Sequence, residues 1–135
     1  MKVGIFGQSN NETTIKYVQE LVDLCRQNNV SIVFEENLFK SFHQLADYKN
    51  VETFSEYDDL NRDLDYFFSV GGDGTFLRSI TFIRDLEIPI IGINTGRLGF
   101  LANIQKDSIR SSFEQILKGQ FVVQKRSLLQ VRAEG

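Results

Sequence analysis

Short apolar runs that alternate with stretches of helical apolar spacing predict an α/β fold, a mostly parallel sheet flanked by helices. Two further observations point the same way. Residues 66–70 and 90–93 are almost wholly apolar, as strands buried on both faces of a parallel sheet must be. Each run leads directly into a glycine-containing loop, Gly71-Gly72-Asp73-Gly74-Thr75 and Asn94-Thr95-Gly96-Arg97-Leu98-Gly99, and loops at the carboxyl ends of such strands are where these sheets bind ligands.

The elements follow in order. Val3, Ile5 and Phe6 make a first strand that ends at Gly7-Gln8-Ser9-Asn10, after which Ile15, Val18, Leu21, Val22 and Cys25 recur at helical spacing. Asn10 or Asn11 can cap that helix and Asn28-Asn29 can close it, so a second strand at 31–34 completes a βαβ unit. Residues 36–64 carry little pattern beyond a weak amphipathic segment on Leu38, Phe39, Phe42 and Leu45 and a short extended piece at 51–54. The run at 66–70 is expected to be a central strand. Residues 75–84 fit two periods, a helical face on Phe76, Ile80 and Ile83 or strand alternation on Phe76, Ile80 and Phe82. Pro89 introduces the strand at 90–93. A last helix is capped by Asp107, lined by Ile109, Phe113, Ile116 and Leu117, and ended by Gly119, and two β segments at 121–124 and 128–131 come before Gly135.

Composition narrows the function classes. At 135 residues the chain has the size of one domain, and 41% hydrophobic with 24% charged residues is ordinary globular usage. A formal net charge of −3 without a block of basic residues argues against nucleic acid, and no apolar run approaches the length of a membrane span. The N-terminus enters a strand directly, and the single cysteine, Cys25, falls on an apolar helix face; both lead us to expect a cytoplasmic protein.

The chemistry concentrates at Gly71-Gly72-Asp73-Gly74-Thr75. Three glycines leave backbone amides bare for close approach to phosphate oxygens, and a helix starting at Thr75 would add its positive end. One carboxylate, Asp73, remains at the centre of the loop. The competing reading is a β-hairpin, because Asp-Gly is a favoured two-residue turn. The doubly apolar strand before the loop argues instead for a helical crossover. Neither G-x-x-x-x-G-K-[ST] nor G-x-G-x-x-G occurs, so phosphates must be held in another way.

The Gly-Gly-Asp-Gly loop resembles that of a superfamily containing NAD kinases, diacylglycerol-type lipid kinases and 6-phosphofructokinases. The second stretch, from Gly92 to Leu101, resembles the segment that follows that loop in bacterial NAD kinases, and residues 121–129 are similar to the strand by which that family crosses into a second domain. The resemblance implies the N-terminal α/β domain of an NAD kinase-like fold over 1–120, with 121–135 starting a β-rich C-terminal domain that the chain does not include. The isolated polypeptide is then expected to be an incomplete enzyme.

By position, the resemblance implies that Asp73 is the general base on the ribose 2′-hydroxyl and that Gly72, Gly74 and Leu77 lie in the nucleotide site. It further implies that Arg78 contacts NAD and that Asn94, Phe100 and Leu101 line the dinucleotide pocket. On the residues alone, Phe100 fits a core aromatic equally well, Arg78 a solvated helix residue and Asn94 a turn former. Arg97 and Lys106 can neutralise phosphate charge, whereas His43 matches no motif and is expected on the surface. The implied substrates are ATP and NAD with a divalent cation, Mg2+, as cofactor and no metal ligand assigned to this chain. The implied partners are small-molecule nucleotides, without nucleic acid or membrane, and a homo-oligomer when full length. Two other readings share the first loop. A lipid or sugar kinase should lack the second loop, and a non-catalytic nucleotide-binding module would not need the Asp73 carboxylate. If the leading reading holds, residues 71–75 and 94–100 face one crevice.

Overall fold

Spatial and sequential order part company at one place in the sheet, and that place positions the site. The computed structural model describes residues 1–8, 11–41, 52–60, 63–96 and 104–119. Within them lie strands β1 (Lys2–Gly7), β2 (Ser31–Glu35), β3 (Glu52–Phe54), β4 (Tyr66–Gly71), β5 (Ile90–Asn94) and β6 (Ile104–Gln105), and helices α1 (Glu12–Gln27), α2 (Glu36–Lys40), α3 (Asp73–Ile83) and α4 (Ile109–Leu117). The strands form one sheet in the order β3-β2-β1-β4-β5-β6, with every neighbouring pair parallel. The run at 66–70 is indeed central, with β1 on one side and β5 on the other.

Two apolar layers sandwich the sheet. Val3, Ile5, Phe34, Phe68, Val70 and Ile93 point to one face and meet α1 and α4 through residues such as Leu21, Cys25 and Phe113. Phe6, Val33, Phe54 and Phe67 point to the other, where Ile83 and Phe82 of α3 cover them together with Leu60, Leu64 and Ile88. A fully buried side chain of this size contributes about 1.5–3 kcal/mol, so both layers are essential to the fold.

Local chemistry sets most boundaries. Asn11 caps α1, its side chain accepting a hydrogen bond from the Thr14 amide at 3.1 Å. Asn28 ends that helix and Asn29 follows in the left-handed region with φ of 57°. Gly119 likewise follows α4 with φ of 70°, where glycine was expected.

Other boundaries differ from expectation. Residues 75–84 are helical, but α3 starts at Asp73 and its sheet-facing aromatic is Phe82, whose ring meets Phe6 at 5.0 Å and Phe54 at 5.2 Å. Both periods had used Phe76 and Ile80, which are only half-buried. Helix α4 is preceded by a 3₁₀ turn, Lys106–Ser108, so Ser108 and not Asp107 stands at its N-cap. Strand β6 was not foreseen, since two residues carry no readable period. Phe42, Leu45 and Val51 and the segments at 121–124 and 128–131 lie outside the described residues. No helix among the described residues is long and apolar enough to cross a membrane.

Candidate nucleotide site

From β1 the chain winds outwards through β2 to β3, then returns to β4 and winds the other way through β5 to β6. The helices that follow β1 and β4 therefore cover opposite faces, α1 one and α3 the other. The reversal falls between the carboxyl ends of β1 and β4, and at such a switch point α/β sheets form the crevice in which they bind their ligands. Gly7 pairs with Val70 there, and a Cβ on Gly7 would lie 3.0 Å from both the Val70 carbonyl oxygen and Thr14 Cγ2.

The loop after β4 contains two kinds of glycine. At Gly71 a Cβ would lie 2.5 Å from Thr75 Oγ1, so the turn itself demands glycine. Gly72 and Gly74 are exposed, and a Cβ on either would meet no protein atom within 4 Å. Gly72 adopts φ of −110°, which any residue tolerates. Nothing inside the described structure requires glycine at these two positions. Their bare backbone faces open space at the mouth of the crevice, which is what a ligand approaching the main chain needs.

Gly72 is also the N-cap of α3 and offers no side chain to cap it. The carbonyl of Gly72 accepts the first helical hydrogen bond, from Phe76 N at 3.0 Å, so the amides of Asp73, Gly74 and Thr75 precede the helical ladder. An anion at this end would be favoured by both the amides and the helix dipole. Asp73 is half-buried in the first turn rather than at the centre of a loop, because the helix begins two residues earlier than expected. No hairpin forms.

Side chains four apart share a helix face. Leu77 thus follows Asp73, and it is 43% exposed; among the described large apolar residues only Met1 is comparably open. Arg78 follows Gly74 and lays its guanidinium over the Phe6 ring, 5.1 Å from the centroid. The second loop begins beside the first. Asn94 pairs with Gly71, and the Thr95 amide donates to the Gly71 carbonyl at 3.1 Å. Asn94 is fully buried and its Oδ1 accepts from the Gly96 amide at 3.1 Å, which is the geometry of a turn former.

The structure thus brings Gly72, Asp73, Gly74, Leu77, Arg78 and Asn94 to the carboxyl ends of β4 and β5. Phe100, Leu101, Arg97 and His43 lie outside the described residues. Lys106 stands after β6 at the sheet edge, two strands away from β4. Sequence reasoning missed the β1 end. Gly7 and Gln8 had been read only as the close of a strand, and nothing short of the strand order reveals that they border the same crevice as Asp73. No group of three His, Cys, Asp or Glu residues suited to hold a metal occurs among the described residues.

The family model that matches this chain is described as the ATP-NAD kinase N-terminal domain, and it covers residues 3–121. A protein named NAD kinase from Christiangramia forsetii is 45% identical over 133 residues, which is 96% of this chain and 44% of that protein. A Flavobacterium psychrophilum protein of the same name is 38% identical over 98% of the chain and 45% of its own length. One from Methanothermobacter thermautotrophicus is 33% identical over 97% and 44%. The chain therefore spans less than half the length of these curated relatives. A crystal structure of yeast NADH kinase complexed with NADH superposes with a TM-score of 0.74, covering 89% of this chain and 38% of that one. Its 20% identity makes it a match of fold.

Proposed function

Because this chain belongs to the ATP-NAD kinase family through its N-terminal domain, we propose that it forms the nucleotide-binding half of an enzyme that phosphorylates the adenosine ribose 2′-hydroxyl of NAD with ATP, giving NADP and ADP. The observation that carries this reading is the pair of exposed glycines, Gly72 and Gly74, on either side of Asp73 at the sheet reversal. Phosphates approach the bare amides there, and Asp73 takes the proton from the attacking hydroxyl. The 2′-oxygen forms a bond to the terminal phosphorus as the bond from that phosphorus to the bridging oxygen of ADP breaks. General-base assistance of this kind is worth about 10²–10⁴ in rate, and positioning with charge stabilisation supplies the rest.

Leu77 offers an exposed apolar surface one turn from Asp73 on which a nucleotide base can rest, and Arg78 supplies positive charge beside Gly74. Asn94 fixes the start of the second loop, from which Phe100 and Leu101 complete the dinucleotide pocket. A divalent cation, Mg2+ in this chemistry, neutralises charge on the donor phosphates. Asp73, the one carboxylate of the loop, would be the residue of this chain that helps to hold the ion beside the phosphates, since Mg2+ commonly binds through one or two carboxylates and the substrate. Residues 121–135 begin a β-rich second domain that contributes the rest of the site. The whole protein is a cytoplasmic homo-oligomer.

The test is NADP formation from NAD and ATP by the full-length protein and by the 135-residue chain. Turnover is expected from the first and negligible turnover from the second. A full-length protein that forms no NADP would refute the activity, and robust turnover by the short chain would show that the second domain is dispensable.

A further inference from the structure

Across the α3 face, at the carboxyl end of the sheet, the strand registers align one level of residues. Glu35 is paired with Phe54, and Phe6 with Ser69. Continuing the β1–β2 register one step beyond Ile5 and Phe34 brings Glu35 beside Phe6. Phe82 of α3 touches both Phe54 and Phe6, so the helix passes directly over the position between them that Glu35 occupies. One helical turn nearer the crevice, Arg78 lies on the Phe6 ring.

Glu35 is unusual in this setting. It is 4% exposed at a level whose other buried side chains, Phe6, Phe54 and Ser69, carry no charge, and its described hydrogen bond is to the Leu38 amide, which Oε2 accepts at 2.8 Å. Capping a five-residue helix does not require burying a carboxylate, since a serine or asparagine serves as well. A buried charge is costly unless an opposite charge shares its surroundings. On the Phe6 ring that the register sets beside Glu35 lies a cation, Arg78, whose guanidinium is outside ion-pair distance of any described carboxylate.

We propose that Glu35 and Phe6 are positioning residues for Arg78, the ring as a platform and the carboxylate as a buried counter-charge, which together hold the guanidinium at the crevice mouth ready for the nucleotide. The inference rests on the reading of Arg78 as a nucleotide contact and adds two residues that no motif indicates. Pre-organisation of this kind lowers the ordering cost of binding and leaves the chemical step unchanged.

A double-mutant cycle in the full-length protein tests it. Glu35→Gln keeps an oxygen to cap Leu38 and removes the charge; Arg78→Met keeps the stem and removes the cation. Glu35→Gln should raise KM for NAD by about threefold to tenfold with kcat unchanged, and should have no further effect once Arg78→Met is present. Multiplying effects of the two substitutions would overturn the proposal, as would a loss confined to kcat. Should Glu35→Gln fail to fold, Phe6→Leu takes its place in the same cycle. A wild-type protein without NAD phosphorylation would refute the proposed function instead. The cycle is then read from urea-unfolding midpoints without substrate, where non-additive shifts support the placement of Glu35 and additive shifts overturn it.

Discussion

Gly71, Gly72 and Gly74 are identical in sequence and different in what they do, and substitution to alanine separates them. At Gly71 the new methyl would collide with Thr75, so Gly71→Ala should cost about 1–3 kcal/mol of stability. Gly74 lies inside α3 with open space around it, and there alanine removes the entropic cost of glycine in a helix. Gly74→Ala should therefore stabilise the protein by up to about 0.5–1 kcal/mol. If phosphates approach that backbone, the same change should lower kcat/KM for NADP formation by about tenfold or more, since small displacements at a reacting centre are costly. Thermal melting and steady-state kinetics on one sample check both halves. A variant that is more stable and fully active would show that the bare backbone at Gly74 serves no ligand.

Helix α1 depends on its Asn11 cap, and Asn11→Ala should lower stability by about 1 kcal/mol in urea titrations because the Thr14 amide loses its acceptor. The buried face of the same helix gives the protein an alkaline weakness. Burial pushes the Cys25 thiol from its ordinary value of 9.0 up to about 12. Between those values the unfolded chain has released a proton that the folded chain keeps, so this term leaves stability intact below about pH 9 and erodes it as the pH rises towards 12. Lys2 acts in the same sense. Hydrogen bonds to Glu52 and then Asp63 raise its pKa, so its ion pairs hold fully below 10.5 and are lost above the folded value. In unfolding titrations across this range, Cys25→Ala should flatten the decline, leaving the part that Lys2 contributes together with Tyr66, whose phenol is pushed up by burial and by the Asp65 charge. An unchanged slope would mean that the thiol does not ionise on unfolding. Elements such as α1 and β4 were legible because a cap or a doubly apolar run carries its own signal. Helix α3 was not, because its buried face mixes Ser79 with Phe82 and Ile83 and blurs both periods. The polar residue Glu35 was invisible for a further reason, since its partner Phe54 is set beside it by register and not by spacing.

For the whole molecule, the strand order does what no single motif can. It places the ends of β1 and β4 at one crevice with α1 and α3 leaving on opposite faces, and it sets Asn94 against Gly71 so that the two glycine loops start side by side. The first loop and its carboxylate were readable from residue types alone; the place of Gly7 and Gln8 beside the end of β4 was not, because it depends on where the chain reverses. In the resulting account Asp73 serves as base while the surrounding backbone holds the donor. Single-turnover NADP formation by full-length Asp73→Asn at saturating ATP and NAD tests this most directly. Asparagine preserves size and removes the basic charge, at a cost of only about 0.3–1 kcal/mol from the helix dipole, so the protein should remain folded. The account predicts a fall of about 10²–10⁴ in the chemical rate. A folded variant that forms NADP at the wild-type rate would contradict it.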